Sequence, residues 1–192
     1  MTSRIIVDQI EGSSGGGNII TVPAGHNLVA PGHVLQVKTI RVDTAVVYAT
    51  NTSGVEMTDM RVSITPKKST SMILCMFMMF GEGTSTHEYM YRMYKNGSLI
   101  TGTYAGYNTV QGNQSWSGIS MAIGYETDYN STPDTRTFMY YDYPATTSTV
   151  TYAPGIISAG SYSWCMNRTA GSTGTTSYEN GVSIGTLWEI AV

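Results

Sequence analysis

EYMYRMYKNGSLIT, residues 88–101, carries the reading that decides the fold class. A run of tyrosines and methionines, Glu88 to Lys95, leads into Asn96-Gly97 and then into Ser98-Leu99-Ile100-Thr101. Asn-Gly accepts positive φ at both positions, as the two-residue turn of a twisted hairpin demands, so the stretch predicts two antiparallel strands and a tight turn. Immediately upstream, SMILCMFMMF (residues 71–80) has no polar side after Ser71. Such a run reads as a strand covered on both faces. In a sandwich, a neighbouring subunit is a candidate for one of those covers.

Working outward, Val55 to Pro66 alternates apolar and polar residues before a proline stop and reads as one half-buried strand, with Lys67-Lys68-Ser69-Thr70 as its turn. His33 to Val42 alternates well enough to bury Val34 and Ile40 on one sheet face and to open the globular body. Downstream, strands are predicted over 117–125, 136–142, 148–152, 160–167 and 182–192, separated by Gly, Pro, Asn and Asp. No amphipathic helical stretch of useful length is present. About eight or nine short strands spaced by turn residues predict an all-β chain, with a β-sandwich or jelly-roll-like body over residues 38–192.

The first 37 residues are different. They hold short β-prone pieces, Arg4 to Val7 and Asn18 to Val22, broken by Gly-Ser-Ser-Gly-Gly-Gly and Pro-Gly, and none is long enough to enclose a core. An unpaired strand leaves backbone donors and acceptors unsatisfied, so the expectation is an extended arm that rests on another chain. Ile5, Ile6, Val7, Ile10, Ile19, Ile20 and Val22 are its expected attachment residues, and Gly15-Gly16-Gly17 its hinge.

At 192 residues the chain suits one domain and an appendage. Charged residues are 12% of it, against about 25% in an average globular protein, while Ser, Thr, Gly and 14 Tyr supply the polarity. A net charge of -3 with scattered Lys and Arg gives no basic field for phosphates, so nucleic acid is not an expected partner. The longest apolar run, Met72 to Phe80, is far short of a membrane span, so no membrane is expected either. Cys75 and Cys165 lack a CxxC or Cys/His companion and read as buried small apolar residues, with a disulfide between them as the alternative.

The chemistry-bearing residues have plain readings. Glu82, Glu88, Glu126, Asp128, Asp134 and Asp142 could supply the two carboxylates of a glycan-cleaving site, but they read as loop-borne solubilising charges. No Gly-x-Ser-x-Gly elbow accompanies the three histidines, and Gly12 to Gly17 lacks the Lys-Ser/Thr of a phosphate loop. The expectation is a protein that is not an enzyme and has no cofactor or metal. Tyr104, Tyr107, Trp116 and Tyr129 lie beside Gly and Asn, as ring-bearing loop residues do, and are the expected receptor contacts.

Several motifs together resemble the short fibre and structural proteins of tailed bacteriophages, especially those infecting cyanobacteria and marine bacteria. They are SRIIVDQI (3–10), ITVPAGHNL (20–28) and PGHVLQ (31–36) in the arm, then Tyr91 to Gly97 ending in Asn-Gly, Tyr141-Asp142-Tyr143-Pro144, Val150-Thr151-Tyr152 and Leu187-Trp188-Glu189-Ile190. The resemblance implies a virion protein: a homotrimeric tail fibre or tip attached by its arm to a tail or neck scaffold, with a β-sandwich facing outward and a host surface glycan as a partner. The alternative is a capsid decoration protein whose arm clamps the major capsid protein. The His-x-His metal motif of some phage tips is absent, since His26, His33 and His87 stand apart, so no metal site is carried over.

Overall fold

The 12-residue strand Met72–Gly83 is the axis of the fold. The computed structural model describes residues 10, 30–85, 89–100, 118–122, 131–171 and 179–192. Within them the chain is all-β: β1 (Val34–Val42), β2 (Val46–Thr50), β3 (Val55–Glu56), β4 (Val62–Ile64), β5 (Met72–Gly83), β6 (Tyr89–Lys95), β7 (Ser98–Leu99), β8 (Ser120–Met121), β9 (Asp134–Asp142), β10 (Val150–Ser158), β11 (Tyr162–Met166) and β12 (Ser183–Ile190). Among the described residues no helix is long and apolar enough to cross a membrane.

Two antiparallel six-stranded sheets result. In the first, β5 pairs with β12 from Met72 opposite Ile190 to Met78 opposite Ile184, and with β9 from Ile73 opposite Asp142 to Gly81 opposite Asp134. The two partners overlap along β5, so they occupy its opposite edges. Gly81 pairs with both Asp134 and Met166, so β11 continues the β12 edge and carries β2 beyond it. β1 flanks β12. The second sheet is built on β10, which pairs with β6 on one side and with β3 and β4 on the other; β7 and β8 extend β6.

Alternation places the core between the sheets. Ile73, Cys75, Phe77 and Met79 of β5 face inward and are fully buried. Opposite them stand Tyr89, Tyr91 and Met93 of β6 with Tyr152 and Ile156 of β10. Rings join the layers: Tyr91 stacks on Phe138 of β9 at 4.9 Å between centroids, and meets Trp164 of β11 edge-on at 5.8 Å. Fully burying each such side chain contributes about 1.5–3 kcal/mol, which makes this aromatic seam the main link between the sheets. Cys75 and Cys165 are free and buried.

The Asn96-Gly97 hairpin forms as its sequence demands, with φ of 51° and 78° at the two positions. Other expectations need correction. Val55–Pro66 is not one strand, because Met57 and Met60 both turn inward and a 3-10 turn, Thr58–Met60, separates β3 from β4. Val34 is not buried but 43% exposed, since the β1–β12 register shifts between Val34 and Gln36 and puts Val34 on the outer face. β2 was not expected from the sequence. β10 runs through Pro154 to Ser158, beyond the predicted end at 152.

Two tyrosines separate packing from hydrogen bonding. Among the described residues the Tyr91 hydroxyl is buried with no hydrogen-bond partner, whereas the Tyr152 hydroxyl donates to Asp142 at 2.6 Å. Tyr91→Phe is therefore expected to be neutral or stabilising in urea unfolding, while Tyr152→Phe costs about 1–2 kcal/mol. Equal losses at the two sites would contradict the assignment.

Tyr48, Tyr89, Tyr91 and Tyr152 also set the response to alkali. Burial raises all four hydroxyl pKa values, Tyr89 to about 12, and hydrogen bonds to the Asp59 and Asp142 carboxylates push Tyr48 and Tyr152 further up. An unfolded tyrosine ionises near pH 10, so above that pH the unfolded chain sheds protons that the folded one keeps. This contribution to stability is complete below pH 10 and is lost as pH rises through the folded-state values. Tyr91 alone removes about 1.4 kcal/mol per pH unit in that window. The urea midpoint is expected to fall steeply above pH 10; a midpoint unchanged to pH 12 would refute this.

Candidate assembly surface

The outward side of β5 differs from an ordinary solvent face. Its residues Met72, Leu74, Met76, Met78 and Phe80 are only half-buried, and strand pairing continues their rows onto three neighbours. One row reads Val37, Trp188, Leu74, Tyr141 across β1, β12, β5 and β9; the next reads Thr39, Thr186, Met76, Met139; the third reads Arg41, Ile184, Met78, Thr137. Val34, Ile190 and Met72 begin a fourth. Arg41 is the one charged side chain in these rows, and it sits at a corner beside Asp43 at 3.8 Å. Exposure is greatest at the rim, 61% at Met139, 58% at Tyr141 and 47% at Val37. Tyr143, just past β9, adds a ring edge-on to Tyr141 at 6.1 Å. A half-solvated antiparallel sheet normally turns polar residues outward, whereas here only Thr39, Thr186, Thr137 and Arg41 interrupt rows that are otherwise apolar.

The buried carboxylates have structural duties. Glu189, fully buried on β12, accepts the Lys67 and Lys68 amides (2.7 and 3.2 Å) and the Ser71 hydroxyl (2.7 Å) on Oε1, and Gln36 Nε2 (2.6 Å) on Oε2. It fixes the turn between β4 and β5 onto the sheet. Glu82, 2% exposed on β5, accepts the Thr132 amide and hydroxyl (3.0 and 2.9 Å) and the Ala170 amide (2.6 Å), tying down the entry to β9 and the exit from β11. Asn167, at φ 63°, donates to the carbonyls of Val42 and Thr44 and accepts from Ser183. Asp142 accepts from Lys95 Nζ and from Tyr152, each at 2.6 Å. The expectation that Glu82 and Asp142 are loop-borne solubilising charges is therefore wrong: both lie on strands and hold neighbouring segments in place. Asp134 is ion-paired with Arg136. Glu88, Glu126 and Asp128 lie outside the described residues.

A cleft of about 380 Å³ lies beside the hairpin turn, lined by Arg61, Ser63, Asn96, Gly97 and Thr151. Its polar groups hold one another. Arg61 forks onto Glu56 at 2.9 and 2.6 Å, the Ser63 and Thr151 hydroxyls share a bond of 2.7 Å, and Asn96 Oδ1 accepts the Thr151 amide at 2.9 Å. The polar groups of the cleft are thus engaged with the protein's own groups. Among the described residues no group of His, Cys, Asp and Glu could hold a metal ion.

No family model and no curated protein matches this chain. Its surfaces must therefore be read from their chemistry.

Of the expected attachment residues, Ile10 is exposed at 69%, while Ile5, Ile6, Val7, Ile19, Ile20 and Val22 lie outside the described residues. So do the expected receptor contacts Tyr104, Tyr107, Trp116 and Tyr129. The outward rings of Trp188 and Tyr141 and the outward Met139 were not anticipated as surface groups. For Met139 and Tyr141 the signal was present in Phe138-Met139-Tyr140-Tyr141, which, like SMILCMFMMF, has no polar side.

Proposed function

We propose that the chain is a non-enzymatic structural protein of a tailed-phage virion, a homotrimeric fibre or tip anchored by residues 1–37. The observation that carries this reading is the apolar outer face of β1, β12, β5 and β9. A contiguous apolar patch of several hundred Å² is at the upper end of what a monomer exposes, and a patch of that size is often a functional contact surface. The occupied carboxylates agree with a scaffold role, because Glu82, Glu189 and Asp142 already hold loops and strands in place. The motif resemblance supplies the kind of particle. In a trimer, rings such as those of Tyr104, Tyr107, Trp116 and Tyr129 would meet a host glycan in three copies, and weak contacts would gain avidity.

Immunogold labelling of particles with an antibody to residues 38–192 tests the reading. Label at the tail or neck is the expected result. Label spread over the head would replace the fibre with a capsid decoration protein, and unlabelled particles would end the virion reading.

A further inference from the structure

The rows on the outer sheet face define a surface with a size, a chemistry and a shape, and all three bear on what covers it. Same-face neighbours stand about 4.8 Å apart across strands and about 6.8 Å apart along them, so three rows of four and one of three span roughly 500 Å². Two such faces brought together remove roughly 1,000 Å² from water before any rim contact, which is the threshold for a specific interface. Tyr143, 54% exposed, extends the rim.

Chemistry narrows the occupant. A charged scaffold segment would need complementary charges, and among the described residues the rows of this face offer only Arg41, at a corner and beside Asp43. A second copy of the same face brings no conflicting charge to its centre. The middle of the face is β5, with Met72, Met76 and Met78 in line. Thioether side chains are unbranched and adjust to an irregular opposing surface, whereas Trp188 and Tyr141 on the flanking strands are stiff rings that fix its register. Sheets also pack face to face readily, about 10 Å apart with side chains interleaved.

We propose that the outer face of β1, β12, β5 and β9 is the self-association surface of this protein, covered by a second copy of the chain. The assignment rests on the assembly reading above and adds a contact to it: a face that meets its own copy is two-fold, so it joins chains in pairs and does not itself close the trimer. It leaves the arm for attachment and puts the methionines of β5 in the centre of the contact.

The test is sedimentation velocity on the full chain over a micromolar range, comparing wild type with Met139→Glu, Val37→Glu and Val47→Glu. Met139 and Val37 sit on the face; Val47, 49% exposed on β2, lies outside those rows and controls for adding a charge to an exposed apolar position. All three positions are exposed in the single chain, so the variants are expected to fold with an unchanged far-UV spectrum. Wild type and Val47→Glu are expected to sediment as the same oligomer. Met139→Glu and Val37→Glu are expected to weaken association by roughly 100-fold or more. A wild type that stays monomeric, or face variants that associate as wild type does, would overturn the proposal. Gold labelling separates the two readings: a monomeric chain that still marks particles defeats this interface and keeps the virion function, whereas a face-dependent oligomer that marks none does the reverse.

Discussion

Glu189→Ala is expected to destabilise the body by about 4 kcal/mol, a fall in Tm of roughly 10 °C for a chain of this size. The carboxylate is fully buried and accepts four hydrogen bonds, from two backbone amides, a serine hydroxyl and a glutamine amide. Alanine leaves these donors facing a cavity, and each unsatisfied buried donor costs about 1–3 kcal/mol unless local opening lets water reach it. Part of the loss will be relieved in that way, because Lys67 and Gln36 lie near the end of the sheet. Glu189→Gln separates charge from shape. One oxygen remains for Lys67, Lys68 and Ser71, while the new amide meets Gln36 donor to donor, so the expected cost is smaller, about 1–2 kcal/mol. Thermal unfolding of both variants checks the order. An alanine variant as stable as wild type would mean that the turn of residues 65–71 does not depend on Glu189.

Gly81→Ala is expected to cost about 3 kcal/mol or to prevent folding, through sterics alone. Gly81 lies where β5 is bracketed by β9 and β11, paired with Asp134 and Met166. A Cβ there would stand 2.5 Å from the Cys165 carbonyl oxygen and 2.9 Å from the Trp164 ring. The backbone carbonyl cannot withdraw without breaking the β11 pairing, and Trp164, fully buried, has no room to turn. Gly185 offers a milder comparison, since its nearest neighbour is the edge of the Phe77 ring at 2.6 Å, a side chain rather than backbone. Urea unfolding should rank Gly81→Ala below Gly185→Ala, and the reverse order would show that β11 yields more easily than the aromatic seam.

What could be read in the sequence was what local rules control. Asn96-Gly97 demanded its turn, and β5, β6 and β12 were legible because long apolar or β-branched runs between turn residues have few other solutions. The break at Thr58–Met60 was not legible. Val55 to Pro66 alternates like a strand, yet Met57 and Met60 are both wanted by the core, and satisfying both requires a 3-10 turn rather than a two-residue repeat. β2 was missed because Val46–Thr50 is short and gains its place only by pairing with β11, more than a hundred residues away in sequence. Burial of Glu82 and Glu189 was likewise hidden, since their donors come from distant loops whose approach no local pattern encodes.

The candidate surface was half legible. SMILCMFMMF announced that one strand lacks a polar side, which marks a strand with two covers. That its outer neighbours would be Trp188, Met139 and Tyr141 depended on the β12–β5–β9 register, which the sequence does not state. The aromatic residues chosen as binding loops were selected by neighbouring Gly and Asn, a rule that finds loops and is blind to apolar side chains standing out from a sheet.

Methionine oxidation tests the covered face most directly. Met139 is 61% exposed in the single chain, while Met57 and Met60 are fully buried. Peroxide treatment of the full chain at assembling concentration, read by peptide mass spectrometry, is expected to spare Met139 nearly as well as Met57 and Met60, with Met139 becoming reactive on dilution. Rapid oxidation of Met139 at every concentration would show that the outer face stays in water and would contradict the account.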